Sequence, residues 1–87
     1  MKLFNLINPS ANIAELAALA SSEDLLLLRQ DAVFLAYQAD LPFPGKIVAL
    51  ETDVQWRQIT LPPYIEPISA SQWVRLSASA AQSILWR

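Results

Sequence analysis

The sequence predicts a three-layer α/β/α sandwich on a mostly parallel, five-stranded sheet, and three observations carry that prediction. The first is the run Leu25-Leu26-Leu27-Leu28 inside Glu23–Val33. A strand with one wet face would place a polar residue at every second position, and this run has none. Both of its faces must be covered, as in the interior of a parallel sheet. The second is the rhythm of the chain, in which five apolar β-type runs alternate with four helical patterns. The third is length, since 87 residues make one domain, residues 1–87.

The elements follow in order. Residues 2–7 form the first strand, with Leu3, Phe4, Leu6 and Ile7 as its apolar members, and Asn8-Pro9-Ser10 ends it. Asn12 and Glu15 have capping-box spacing, and Ile13, Leu16, Ala17 and Ala20 then lie on one helical face, which carries the first helix to about Ala20. Ser21–Asp24 turns the chain into the leucine strand. Val33, Ala36 and Tyr37 open a short second helix, with Asp31 as either its N-cap or a site residue at the carboxyl edge of the sheet. Asp40–Gly45, with two prolines and the only glycine of the chain, is a loop. Lys46–Leu50 is the third strand, and Thr52 or Asp53 caps a single helical turn from Val54 to Arg57. Pro62-Pro63 interrupts regular structure, and Ile65–Ile68 is a fourth strand that Pro67 confines to a sheet edge. Ser69 and Gln72 form a second capping box ahead of Trp73, Leu76, Ser77 and Ala80 at helical spacing, and Gln82–Arg87 is a short last strand.

Composition limits function. Apolar residues make up 54% of the chain and charged residues 16%, against a usual share of about 25%. A chain this small buries only about 60–65% of its unfolded surface. The surplus suggests a subunit whose surface partner chains complete; the plainer alternative is a packed monomer with scattered surface leucines and alanines. The net charge is −2 with no basic run, which argues against a direct grip on nucleic acid. No apolar run approaches the roughly 20 residues of a membrane span, and Met1–Ile7 is too short and interrupted for a signal peptide, so a cytoplasmic location is expected.

The chain has no Cys and no His. That excludes disulfides, thiolate or imidazole metal sites and His-based nucleophilic triads. A phosphate-cradling loop needs several glycines. No cofactor and no metal is therefore expected, and no catalytic residue stands out. Glu23-Asp24 and Glu51-Thr52-Asp53 are paired carboxylates that fit turns and helix caps. Trp56 and Arg57 are either an exposed recognition pair or a core plug beside a solvated charge. Trp73 lies on a helical face and fits a core role, whereas Trp86 is either an edge-strand core residue or an interface anchor.

Three blocks taken together carry a resemblance. They are Asp24–Val33, then Lys46–Asp53 with Arg57, and then Trp73-Val74-Arg75-Leu76 followed by Trp86. In order and spacing the chain resembles the DsrH/TusB family, the small subunit of the DsrEFH and TusBCD sulfur-relay complexes. The resemblance implies a DsrE-like fold and a cytoplasmic hetero-oligomer with DsrE-like and DsrF-like sister subunits (TusD and TusC type). It implies contact with sulfur carrier proteins through the complex, and a role in 2-thiolation of the tRNA wobble uridine or in sulfur oxidation. The family's glycine after the aspartate is Ala32 here, its Arg-Gly pair is Arg57-Gln58, and the aromatic after the fourth strand is Ala70. The missing cysteine favours the TusB branch, in which the persulfide cysteine belongs to a sister subunit, so no catalytic residue carries over. The resemblance thus implies a non-catalytic subunit of a sulfurtransferase complex. The alternative is an independent small α/β binding or regulatory domain that shares only the fold.

Overall fold

The computed structural model describes residues 1–38 and 41–86. Asp40, the first residue of the expected loop, and Arg87, the last of the expected fifth strand, lie outside them. The strands are β1 (Lys2–Leu6), β2 (Leu25–Leu28), β3 (Lys46–Leu50), β4 (Ile65–Ile68) and β5 (Gln82–Trp86). They form one parallel sheet in the order β4-β3-β2-β1-β5. The helices are α1 (Ile13–Ala18), α2 (Glu51–Trp56) and α3 (Ala70–Ser79), with a 3-10 helix over Gln30–Tyr37.

The leucine strand is buried on both sides, as its sequence demands. Leu26 and Leu28 join Phe4, Leu6, Ile47, Ala49 and Ile65 beneath α1, the 3-10 helix and α2. Leu27 joins Leu3, Val48, Leu50 and Ile68 on the opposite face, where α3 brings Trp73, Leu76 and Ala80. The two layers are unequal. No residue of α3 is fully buried, and the helix leaves a cleft of about 270 Å³ over Leu25, Val48 and Ile68.

The second helical segment departs from the expected pattern. At α-helical spacing Val33, Ala36 and Tyr37 would share a buried face. The segment winds instead with three residues per turn, so positions three apart eclipse. Ala32, Val33, Leu35 and Ala36 are buried, whereas Asp31, Phe34 and Tyr37 line the exposed edge, with Tyr37 64% exposed. Asp31 is not the N-cap; that position is Arg29, and no side chain caps the helix. Neither Thr52 nor Asp53 caps α2, which begins directly at the end of β3 with Leu50 at its N-cap. Asn12 does accept from the Glu15 N–H at 3.1 Å, but α1 ends at Ala18, two residues early. Ser69 and Gln72 form the full reciprocal capping box of α3.

Two tight features hold the connections. At the amino-terminal edge of the sheet, Asp24 is only 4% exposed. Its carboxylate accepts from the Lys2 and Ser21 backbone N–H groups, each at 2.8 Å, with the Lys2 ammonium 3.7 Å away. The Lys2 N–H holds the carboxyl below its ordinary range against the opposing effect of burial, with help from Ser21 and the Lys2 charge. Gly45 passes so close that a Cβ there would sit 2.1 Å from the Asp24 carbonyl oxygen, so the position excludes any side chain. At the end of α2, Gln58 N–H donates to Gln55 O and Ile59 N–H to Val54 O, the two bonds of a Schellman motif, with Val54 and Ile59 buried together. Gln58 occupies the left-handed position at φ 53°, where glycine is preferred.

These features yield two predictions. A depressed folded pKa stabilises above the unfolded value and loses that contribution as pH falls through the folded value. Asp24→Asn is therefore expected to lower stability at pH 7 by about 1.5–3 kcal/mol. In urea titrations, the gap from the parent should close as pH drops below about 4, the unfolded carboxyl's range. Gln58→Gly removes a left-handed penalty of about 1–2 kcal/mol at some cost in chain entropy, so a net gain of about 0.5–1 kcal/mol is expected in thermal melts.

Candidate functional site

The carboxyl edge of the sheet is where an open α/β fold usually places its chemistry, in the crevice between strands whose connections leave on opposite sides. Here β1, β2 and β3 all connect toward the same side, and only the passage through α3 crosses back to β5. Among the described residues the one pair of neighbouring strands whose outgoing connections leave on opposite faces is β3 and β4, through α2 and α3 at the outer side of the sheet, and the carboxyl edge between β2 and β3 holds no such crevice.

That edge instead carries a tie between two helical segments. Arg29 N–H extends the sheet by donating to Leu6 O at 2.9 Å. Gln30 then turns at φ 50°, and its N–H donates to Asp53 Oδ2 at 2.9 Å. Arg57 reaches back from the end of α2, with Nε 3.0 Å from Asp31 Oδ1 and Nη1 3.4 Å from Asp53 Oδ1. One guanidinium thus bridges a carboxylate on each segment. Asp31 is 66% exposed, so its pair is worth no more than about 1 kcal/mol. Among the described residues no group of side chains has the make-up of a metal site.

Beside the tie runs an aromatic ridge. Phe34 and Tyr37 stand one turn apart on the open edge of the 3-10 helix, ring centroids 6.5 Å apart. Tyr64, half in solvent, donates its hydroxyl to Gln38 O at 3.0 Å and so joins the segment before β4 to the end of the ridge. Trp56, on the neighbouring α2, is 83% exposed. An open cleft of about 740 Å³ lies between α2 and the β4 edge, lined by Val54, Ile59, Leu61 and Tyr64, with Glu51, Lys46 and Glu66 among its polar members. Clustered exposed aromatics on a small chain mark a contact surface rather than a catalytic pocket.

The structure divides the five residues singled out in the sequence among four places. Asp31 and Arg57 meet in the tie. Trp56 is on the surface and is not a core plug, and Arg57 is not a free solvated charge, since both carboxylates engage it. Trp73 lies across the sheet on α3, half-buried, with the Arg29 guanidinium 4.1 Å from its ring centre. That stacking accompanies the buried Arg29 Nε, which has no hydrogen-bond partner among the described residues. Trp86 is half-buried against the first core at the β5 edge. The ridge residues Phe34, Tyr37 and Tyr64 escape sequence reasoning. Their only signal is the spacing Asp31, Phe34, Tyr37, which marks one edge only if the segment is 3-10 rather than α.

Among the described residues no helix is long and apolar enough to cross a membrane. No curated protein matches the chain. Among solved structures, it is similar to the solution NMR structure of protein Tm0979 from Thermotoga maritima, with 25% identity, a TM-score of 0.69, and coverage of 90% of this chain and 92% of that one. The parallel five-stranded α/β architecture is thus shared with that protein. The model of the family described as DsrH like protein matches residues 8–83, nearly the whole domain, and by that match the chain belongs to the DsrH-like family, whose members point to a sulfur-relay subunit working with DsrE- and DsrF-like partners.

Proposed function

We propose that this chain is the non-catalytic subunit of a cytoplasmic sulfur-relay complex. Its sister subunits are DsrE-like and DsrF-like chains of the TusD and TusC type, and the complex supports 2-thiolation of the tRNA wobble uridine. One observation carries the reading: a DsrH-like match across residues 8–83 in a chain with neither Cys nor His. Persulfide relay runs through a thiolate nucleophile. A member without one contributes by binding and shaping its partners, and the sulfur passes through a sister subunit. The low charge fits the same role, since −2 without a basic cluster leaves tRNA contact to other members of the pathway.

The ridge of Phe34 and Tyr37, together with exposed Trp56 on the adjoining α2, is the surface we assign to a sister subunit. Asp31 and Arg57 have a positioning role there. By tying the 3-10 helix to α2 they set the angle at which the aromatics are presented.

The test is co-expression with DsrE-like and DsrF-like partners, followed by sedimentation of the purified material. The chain is expected to enter one larger particle of defined size. Phe34→Asp with Tyr37→Asp is expected to weaken entry at least tenfold while leaving the thermal melt of the lone chain close to the parent. After loading with a desulfurase and sulfur carrier, the persulfide adduct of about 32 Da should sit on a sister subunit and not on this chain. Failure to join any such particle would instead favour an independent binding domain.

A further inference from the structure

The two edges of the sheet are built differently. An open edge strand offers unpaired backbone N–H and C=O groups to any strand that approaches, and natural sheets blunt such edges with proline, charge or shortness. The β4 edge has all three. It is four residues long, Pro67 removes a donor, and Glu66 pairs with Lys46 beside it. The β5 edge has none. Gln82-Ser83-Ile84-Leu85-Trp86 contains no proline and no charged residue, and its only strand neighbour is β1 among the described residues. Ile84 and Trp86 lean on the first core and remain half-exposed. Leu85, on the opposite face, is 47% exposed. Asn5 fixes the strand from the inner side, its side-chain amide donating to Ser83 Oγ at 3.0 Å and to Ile84 O at 3.4 Å, and no described strand pairs with the outer side.

We propose that the β5 edge pairs with the β5 edge of a second copy of this chain, the two strands antiparallel about a two-fold axis at Ile84. The strand is self-complementary in that arrangement. Centring the five residues on Ile84 places Ser83 opposite Leu85 of the second copy, and Gln82 opposite Trp86 of the second copy. No charge meets a like charge, and each exposed apolar side chain gains a neighbour on its own face of the sheet. A two-fold contact of this kind is isologous and closes on itself, so it yields a dimer rather than a filament. The result is one continuous sheet through both copies, with main-chain hydrogen bonds supplying the contact. The inference is independent of the sulfur-relay reading, because it concerns the lone chain and no sister subunit enters its test.

Sedimentation velocity of the purified chain from micromolar to millimolar concentration should show a monomer–dimer equilibrium. Leu85→Lys places a charge on an already exposed position and should weaken dimerisation at least tenfold. Tyr37→Lys, on the ridge, should leave it unchanged. Opposed residues of an antiparallel pair have Cα atoms about 4.5–5.5 Å apart, within the span of a disulfide. Since the chain has no native cysteine, Ile84→Cys should form a covalent dimer on mild oxidation. Circular dichroism melts check that each variant is folded, and if Leu85→Lys is not, the cysteine variant decides. A chain that stays monomeric at millimolar concentration overturns the proposal. So does a dimer that ignores Leu85→Lys and fails to cross-link through position 84, or one that Tyr37→Lys dissolves.

Discussion

The constraint on which the structure depends is the burial of β2 on both faces. Leu26, Leu27 and Leu28 are wholly enclosed at the centre of the sheet, and four leucines in a row leave no side for water. Everything else in so short a chain serves that enclosure. One layer needs three helical segments to cover Leu26 and Leu28, while the other has only α3 over Leu27. An 87-residue chain cannot supply two full layers, so the second stays thin and some apolar surface remains outside.

The places where the chain turns over this sheet are where it departs from ordinary residue preferences. Gln30 and Gln58 both adopt left-handed backbone conformations, one entering the 3-10 helix and one leaving α2. Asp53 accepts the N–H of the first, and the side chain of Arg57, the neighbour of the second, bridges Asp53 to Asp31. The two strained turns are thus linked through one carboxylate. At the opposite end of the sheet Asp24 does the comparable work from a buried position, where two backbone N–H groups replace its lost hydration. Charge is scarce in this chain, and most of it is spent on joining elements rather than on solubility.

Part of the apolar surplus lies in two regions of different character. On one side an aromatic ridge stands on a rigid 3-10 helix whose other residues are core, which suits side-chain docking. On the other a neutral edge strand offers backbone groups. In this member of the DsrH-like family, which has neither Cys nor His, the two regions lie on separate parts of the described surface.

The strand order along the chain, the parallel α/β class and the Ser69 cap were legible in the sequence, because each rests on local signals: a run without polar residues, a proline at an edge, a serine three residues before a glutamine. The absence of thiol and imidazole chemistry was equally plain, since it needs only a residue count. The roles of individual polar residues were not legible. Asp31 and Asp53 had the sequence positions of helix caps, yet Arg57 and the Gln30 N–H, distant in the chain, claim their oxygens. Asp24 looked like a turn residue until the Lys2 backbone, 22 positions away, closed over it. Nor did the sequence decide which face Tyr37 presents. The choice between 3.6 and three residues per turn depends on how Ala32, Val33, Leu35 and Ala36 pack against the sheet, and only tertiary packing settles it.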